Sequence, residues 1–110
     1  MRAFAASPVA AMIAADPQEA ERLASEVLGP VLDLPEADRS VILETLETYI
    51  RSGGSASEAA KLLHCHPNTV RYRLRRIEEL TGRNVGRPGE MAELATAAYA
   101  VEISPGAQHR

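Results

Sequence analysis

The stretch SASEAAKLLHCHPNTVRYRLRRIEELTG, residues 55–82, decides how the rest of the chain is read. It opens with Ser55 three residues ahead of Glu58, the spacing of a capping box, and Ser57 is a competing cap one step inside. Ala59, Ala60, Leu62 and Leu63 carry a brief helix that gives way at His64-Cys65-His66. Pro67 then stands where a second helix wants its first residue, since its fixed φ suits the first turn. Val70, Leu74 and Ile77 form the apolar face of that helix, and Gly82 ends it. Two helices joined by so short a turn, the second opening on polar and basic side chains, make a helix-turn-helix unit. Ala60 is small where the helices must cross closely, and Leu63 and Cys65 are placed to plug the turn.

With Val70, Leu74 and Ile77 facing inward at about 100° per residue, Asn68, Thr69, Arg71, Tyr72, Arg75 and Arg76 point outward. Arg73 falls near the boundary and is expected to snorkel. This face mixes charge with side chains that read base edges. Arginine donates twice to guanine, asparagine pairs with adenine, threonine offers a hydroxyl and a methyl, and the helix N-terminus favours a phosphate. A merely solvated face has no need of that combination.

Composition agrees. The chain has 110 residues, enough for one small domain, and aromatics make up 4% against 45% apolar overall, which favours close-packed helices over a sheet. Its formal net charge of -3 hides a dipolar distribution. Residues 1–54 hold four basic and nine acidic side chains, whereas residues 61–87 hold seven basic and two acidic, a local +5 that attracts polyanions. Cys65 is the sole cysteine, so no internal disulfide is possible and a cytoplasmic location is expected. The opening MRAFAASPVAAMIAAD is too short and interrupted for a membrane span or a secretory signal.

Outward from the central unit, Asp16-Pro17-Gln18-Glu19 reads as a capped helix start, with Ala20, Leu23, Ala24, Val27 and Leu28 at helical spacing and a stop at Gly29-Pro30. A second helix starts between Pro35 and Ser40, carries Ile42, Leu43, Leu46, Tyr49 and Ile50, and stops at Gly53-Gly54. Beyond the Gly86-Arg87-Pro88-Gly89 breaker, Met91, Leu94, Ala98 and Val101 mark a fifth helix. The expectation is an all-α bundle of about five helices, with residues 1–15 a disordered or linker remnant, 16–103 the domain, its helix-turn-helix at about 55–82, and 104–110 a disordered tail.

The run LETLETYIRSGGSASEAAKLLHCHPNTVRYRLRRIEELTGRNV, residues 43–85, resembles the C-terminal helix-turn-helix domain of the PucR/CdaR family of bacterial transcriptional regulators. The GG before a serine-capped helix, the LHCHPNTVRYRLRRIEELTG block and the acidic apolar helix after it carry the likeness, which extends over roughly residues 16–102. Within the wider class, NTVRYRL is similar to the recognition helix of Fis-type nucleoid proteins. The resemblance implies His66, Asn68, Thr69, Arg71, Tyr72 and Arg75 as DNA-facing positions. Pro67 replaces a usually basic residue and Cys65 a usually aliphatic one, so one contact is lost and a small apolar plug is kept. The resemblance also implies a homodimer joined through a long upstream sensory region, so that the chain reads as an excised output domain or a truncated gene product.

Rival readings fare worse. His64, Cys65 and His66 are adjacent, and adjacent residues rarely converge on one zinc ion, so no metal or other cofactor is expected. Cys65 with a neighbouring histidine lacks a glycine-rich oxyanion loop and a third orienting group, so no enzyme is expected. Glu78 and Glu79 read as the solvated end of the arginine helix, with Arg75 in reach at the i,i+4 spacing. The expected function is sequence-specific binding of double-stranded DNA through a recognition helix at about 67–81, with no membrane contact and no evident small-molecule ligand. The alternative is a protein-interaction or dimerisation module built on a degenerate helix-turn-helix, with the alanine-rich segment from Ala92 to Ala100 as a flat face. For pairing, the candidates are the exposed parts of the first and fifth helices with Ala92, Ala95 and Ala98, which serve equally well to pack against their own core.

Overall fold

The structure, a computed structural model, describes residues 8–103. The tail expected at 104–110 and the first residues of the expected linker lie outside the described residues. Among those described there are six helices and no strand: α1 (Pro8–Ala14), α2 (Pro17–Leu32), α3 (Glu36–Arg51), α4 (Ala56–Leu63), α5 (Pro67–Thr81) and α6 (Pro88–Ile103). The architecture is all-α, as the alanine- and leucine-rich composition leads one to expect.

Local chemistry sets most of the helix starts. The Asp16 carboxylate accepts the Glu19 N–H at 3.2 Å, and Pro17 occupies the first turn of α2. Ser55, and not Ser57, caps α4 by accepting the Glu58 N–H at 3.1 Å. Gly53 and Gly54 follow α3 with φ of 72° and 82°, a left-handed pair that side chains resist, which is why the chain can reverse there into α4.

Two expectations need correction. Gly29-Pro30 does not end α2, which runs on to Leu32 with Pro30 inside it. A proline in a helix interior costs about 3 kcal/mol through the lost N–H donor and ring crowding. Beyond it, however, Val31 and Leu32 are 0% and 3% exposed, and burying two such side chains is worth about 1.5–3 kcal/mol each. Continuation therefore wins. The second correction concerns residues 8–14 of the expected linker, which form α1 and bury Ala10 and Ile13 against α2 and α6.

The core lies where α2 and α6 pack most extensively. Ala20 and Ala24 of α2 and Ala97, Ala98 and Ala100 of α6 are all buried, so the two backbones approach closely. Leu28, Val31, Leu94 and Val101 fill the remaining space. Helix α5 rests on α2, α3 and α4 through Val70, Leu74 and Ile77, which are 0%, 6% and 0% exposed. Its opposite face is thereby held outward on a rigid support.

Candidate nucleic-acid interface

The turn between α4 and α5 is built from two caps back to back. His64 adopts a left-handed conformation with φ 56°, and its N–H donates to the Lys61 carbonyl at 3.3 Å while the Cys65 N–H donates to the Ala60 carbonyl at 3.0 Å. That pair of bonds is a Schellman motif, which favours an apolar residue just after the left-handed one. Cys65 supplies it, half-buried against the core beside Leu63.

One residue on, His66 is the N-cap of α5. Its Nδ1 accepts the Asn68 N–H at 3.0 Å, so the ring proton of the neutral imidazole sits on Nε2 of an exposed side chain. Pro67 follows in the first turn, and Gly82, with φ 72°, closes the other end. The histidines thus serve two different helix ends.

Of the residues expected to face outward, Asn68, Arg71, Tyr72 and Arg75 are exposed, Tyr72 with 57% of its surface. Thr69 and Arg76 are only half-buried, and the Arg76 Nε is shielded without a hydrogen-bond partner among the described residues. Arg76 also lines, with Asp38, Val41, Ile42, Tyr72 and Arg73, a recess of about 270 Å³ beside the helix. Arg71 Nη1 donates to Asn68 Oδ1 at 2.8 Å, joining two side chains of the outward face.

Arg73 plays a different part. It is half-buried and its Nη1 donates to Thr45 Oγ1 at 3.3 Å, pinning α5 to α3 across 28 positions of sequence. Thr45 is fully buried and donates in turn to the Val41 carbonyl at 2.8 Å. Sequence spacing has no signal for such a long-range partner.

The carboxylates depart from the sequence reading as well. Glu78 is half-buried, and its Oε2 accepts the Val85 N–H at 3.0 Å, which fastens the loop after α5. Glu79 is exposed, but no ion pair joins it to Arg75 among the described residues. Elsewhere Arg22 pairs with Glu19 and Glu26, Lys61 with Glu58 and Arg83 with Glu93, whereas Arg39 and Arg87 have no carboxylate partner among the described residues. Among the described residues, Arg71, Arg73, Arg75 and Arg76 form no ion pair with a carboxylate. With four arginines against Glu78 and Glu79, α5 keeps a net positive charge.

A short helix, a Schellman turn and an arginine-bearing helix on a helical support define a helix-turn-helix domain. The PucR C-terminal helix-turn-helix domain matches residues 42–100, and the chain belongs to that family. An uncharacterized protein of Mycobacterium tuberculosis is 36% identical over 87 residues, which cover 79% of this chain and 20% of that protein. The purine catabolism regulatory protein of Bacillus subtilis is 32% identical over 80 residues, covering 73% and 15% respectively. The transcriptional activator PmfR of Paenarthrobacter nicotinovorans is 31% identical over 75 residues, covering 68% and 16%. The chain therefore spans about a fifth or less of the length of these curated relatives. No solved structure matches it.

Proposed function

We propose that the chain is the sequence-specific DNA-binding domain of a bacterial transcriptional regulator, working in the cytoplasm with α5 in the major groove of duplex DNA. The observation that carries this reading is the set of α5 arginines with no carboxylate partner among the described residues, on a helix whose inner face is anchored in the core. Desolvating unpaired cations against phosphates and guanines releases counterions and adds charge-assisted bonds. In this arrangement Arg71 and Arg75 reach base edges, Asn68 and Thr69 lie at the helix start, and the His66 Nε2–H and Tyr72 hydroxyl meet backbone phosphates. Arg76, half-shielded, supplies charge at the groove edge. The names of the Bacillus and Paenarthrobacter relatives, a regulatory protein and a transcriptional activator, support the assignment.

A specific observation favours a second reading as a protein-docking module. Tyr49, Ile50, Val85, Pro88 and Met91, with Ala92 and Ala95, line an apolar recess of about 360 Å³ away from α5. Selection of bound sequences from a random duplex pool at two salt concentrations separates the readings. DNA recognition is expected to enrich one motif and to weaken steeply with salt. No enrichment would favour the docking module. On the selected duplex, Arg71→Ala and Arg75→Ala are each expected to cost about 1–3 kcal/mol at fixed salt. Parent-like binding by both variants would remove α5 from the interface.

A further inference from the structure

We infer that Asn68 reads no base of its own and is instead the positioning residue that aims Arg71 at a guanine. The inference rests on α5 being the DNA-facing helix and adds to it a division of labour within that face.

The geometry is specific about which atoms remain available. Arginine has five N–H donors, and among the described residues Arg71 uses its Nη1 on Asn68 Oδ1 at 2.8 Å and has no other partner. The side fork formed by Nε and Nη2 is left free. That fork has the spacing to donate to the O6 and N7 of guanine together. Asn68, by contrast, has spent an acceptor position on a charged donor. Reading adenine requires its Oδ1 to accept from the N6 amino group while its amide nitrogen donates to N7, so a full adenine contact would have to use the second lone pair of an oxygen already turned towards Arg71.

Asn68 is itself well placed to act as a buttress. Its backbone N–H is held by His66 Nδ1 at 3.0 Å, at the first turn of a helix whose next turn is buried through Val70 and Leu74. The Oδ1 therefore projects from a fixed point, one helical turn before Arg71. A long arginine loses much rotamer freedom when it docks in a groove, and a tether formed before binding removes part of that loss. Both side chains are exposed, so the bond adds little to folding stability. Its consequence falls on base preference.

The test uses the whole chain, the duplex recovered from the random pool, and its single base-pair variants. Arg71→Ala is expected to erase a guanine preference of about 5- to 150-fold at one base pair. Asn68→Ala is expected to lose a measurable part of that preference at the same base pair, and the double variant to be no less selective there than Arg71→Ala alone. Asn68→Asp keeps the acceptor and is expected to keep the preference, while binding every duplex more weakly through its added charge. Unchanged melting of Asn68→Ala separates positioning from a loss of fold. Relaxation at a different base pair, additive with Arg71→Ala, would overturn the inference, as would no change in preference at any position. A parent chain that enriches no sequence at all defeats the DNA reading first, and that outcome is recognised before any variant is made.

Discussion

His64 is the only non-glycine residue with positive φ among those described, at 56°. A side chain in that region costs about 1–2 kcal/mol, while glycine gives back roughly 0.5–1 kcal/mol through the greater freedom of its unfolded chain. The first effect is larger, so His64→Gly is expected to stabilise the domain by roughly 0.5–1 kcal/mol in denaturant unfolding. Destabilisation would mean that the imidazole makes a contribution the turn geometry does not account for. The neighbouring caps were readable directly from the sequence, because Ser55 with Glu58 and Asp16 with Glu19 are bonds spanning three residues. The tie from Arg73 to Thr45 spans 28 residues, and no local pattern announces it.

At the scale of the helix, α2 carries a defect that can be relieved. Pro30 is exposed and inside the helix, so Pro30→Ala restores a donor to the preceding turn without disturbing the core. The variant is expected to gain about 1–3 kcal/mol, read as a higher denaturant midpoint with an unchanged slope. Helix α3 carries a second strained group. Burial pushes the Glu47 carboxyl above its ordinary range, with Glu102 of α6 and Glu44 adding repulsion and Arg51 opposing it. The folded state thus prefers the protonated acid, and this contribution to stability is lost as pH rises from the ordinary carboxylate value through the raised one. Glu47→Gln is expected to melt higher than the parent near neutral pH, with the difference shrinking in acid buffer. An equal difference at both pH values would exclude titration of Glu47 as the cause.

The principal-axis extents are 37 × 29 × 24 Å, of the same order as one turn of DNA, about 34 Å. Because one recognition helix covers only a few base pairs, we propose as the functional form a symmetric homodimer reading two half-sites about 10 base pairs apart. Ala98 cannot help to pair copies, because it is 0% exposed within its own core, whereas Ala92 is exposed and Ala95 half-buried beside the apolar recess. Fusing the chain to a dimerising helix is expected to raise affinity for inverted repeats well above that for a single half-site, through effective concentration alone. Equal affinity of fused and unfused chains for both duplexes would argue that one copy suffices.

The sequence by itself determined the helical class, the helix-turn-helix and the outward side chains at the start of α5. Each of these follows from short-range rules: a period of 3.6 residues, a cap three residues from its partner, and a proline or glycine at a fixed offset. Tertiary structure alone decided the rest. It carried α2 through Gly29-Pro30, because burying Val31 and Leu32 against distant helices outweighs a local penalty. It drew residues 8–14 into α1 against α2 and α6. It also sorted the arginines of α5, fastening Arg73 to Thr45 and half-shielding Arg76 while leaving Arg71 and Arg75 exposed. Periodicity can say which way a side chain points, but whether it meets solvent or a partner depends on which helix the fold brings alongside.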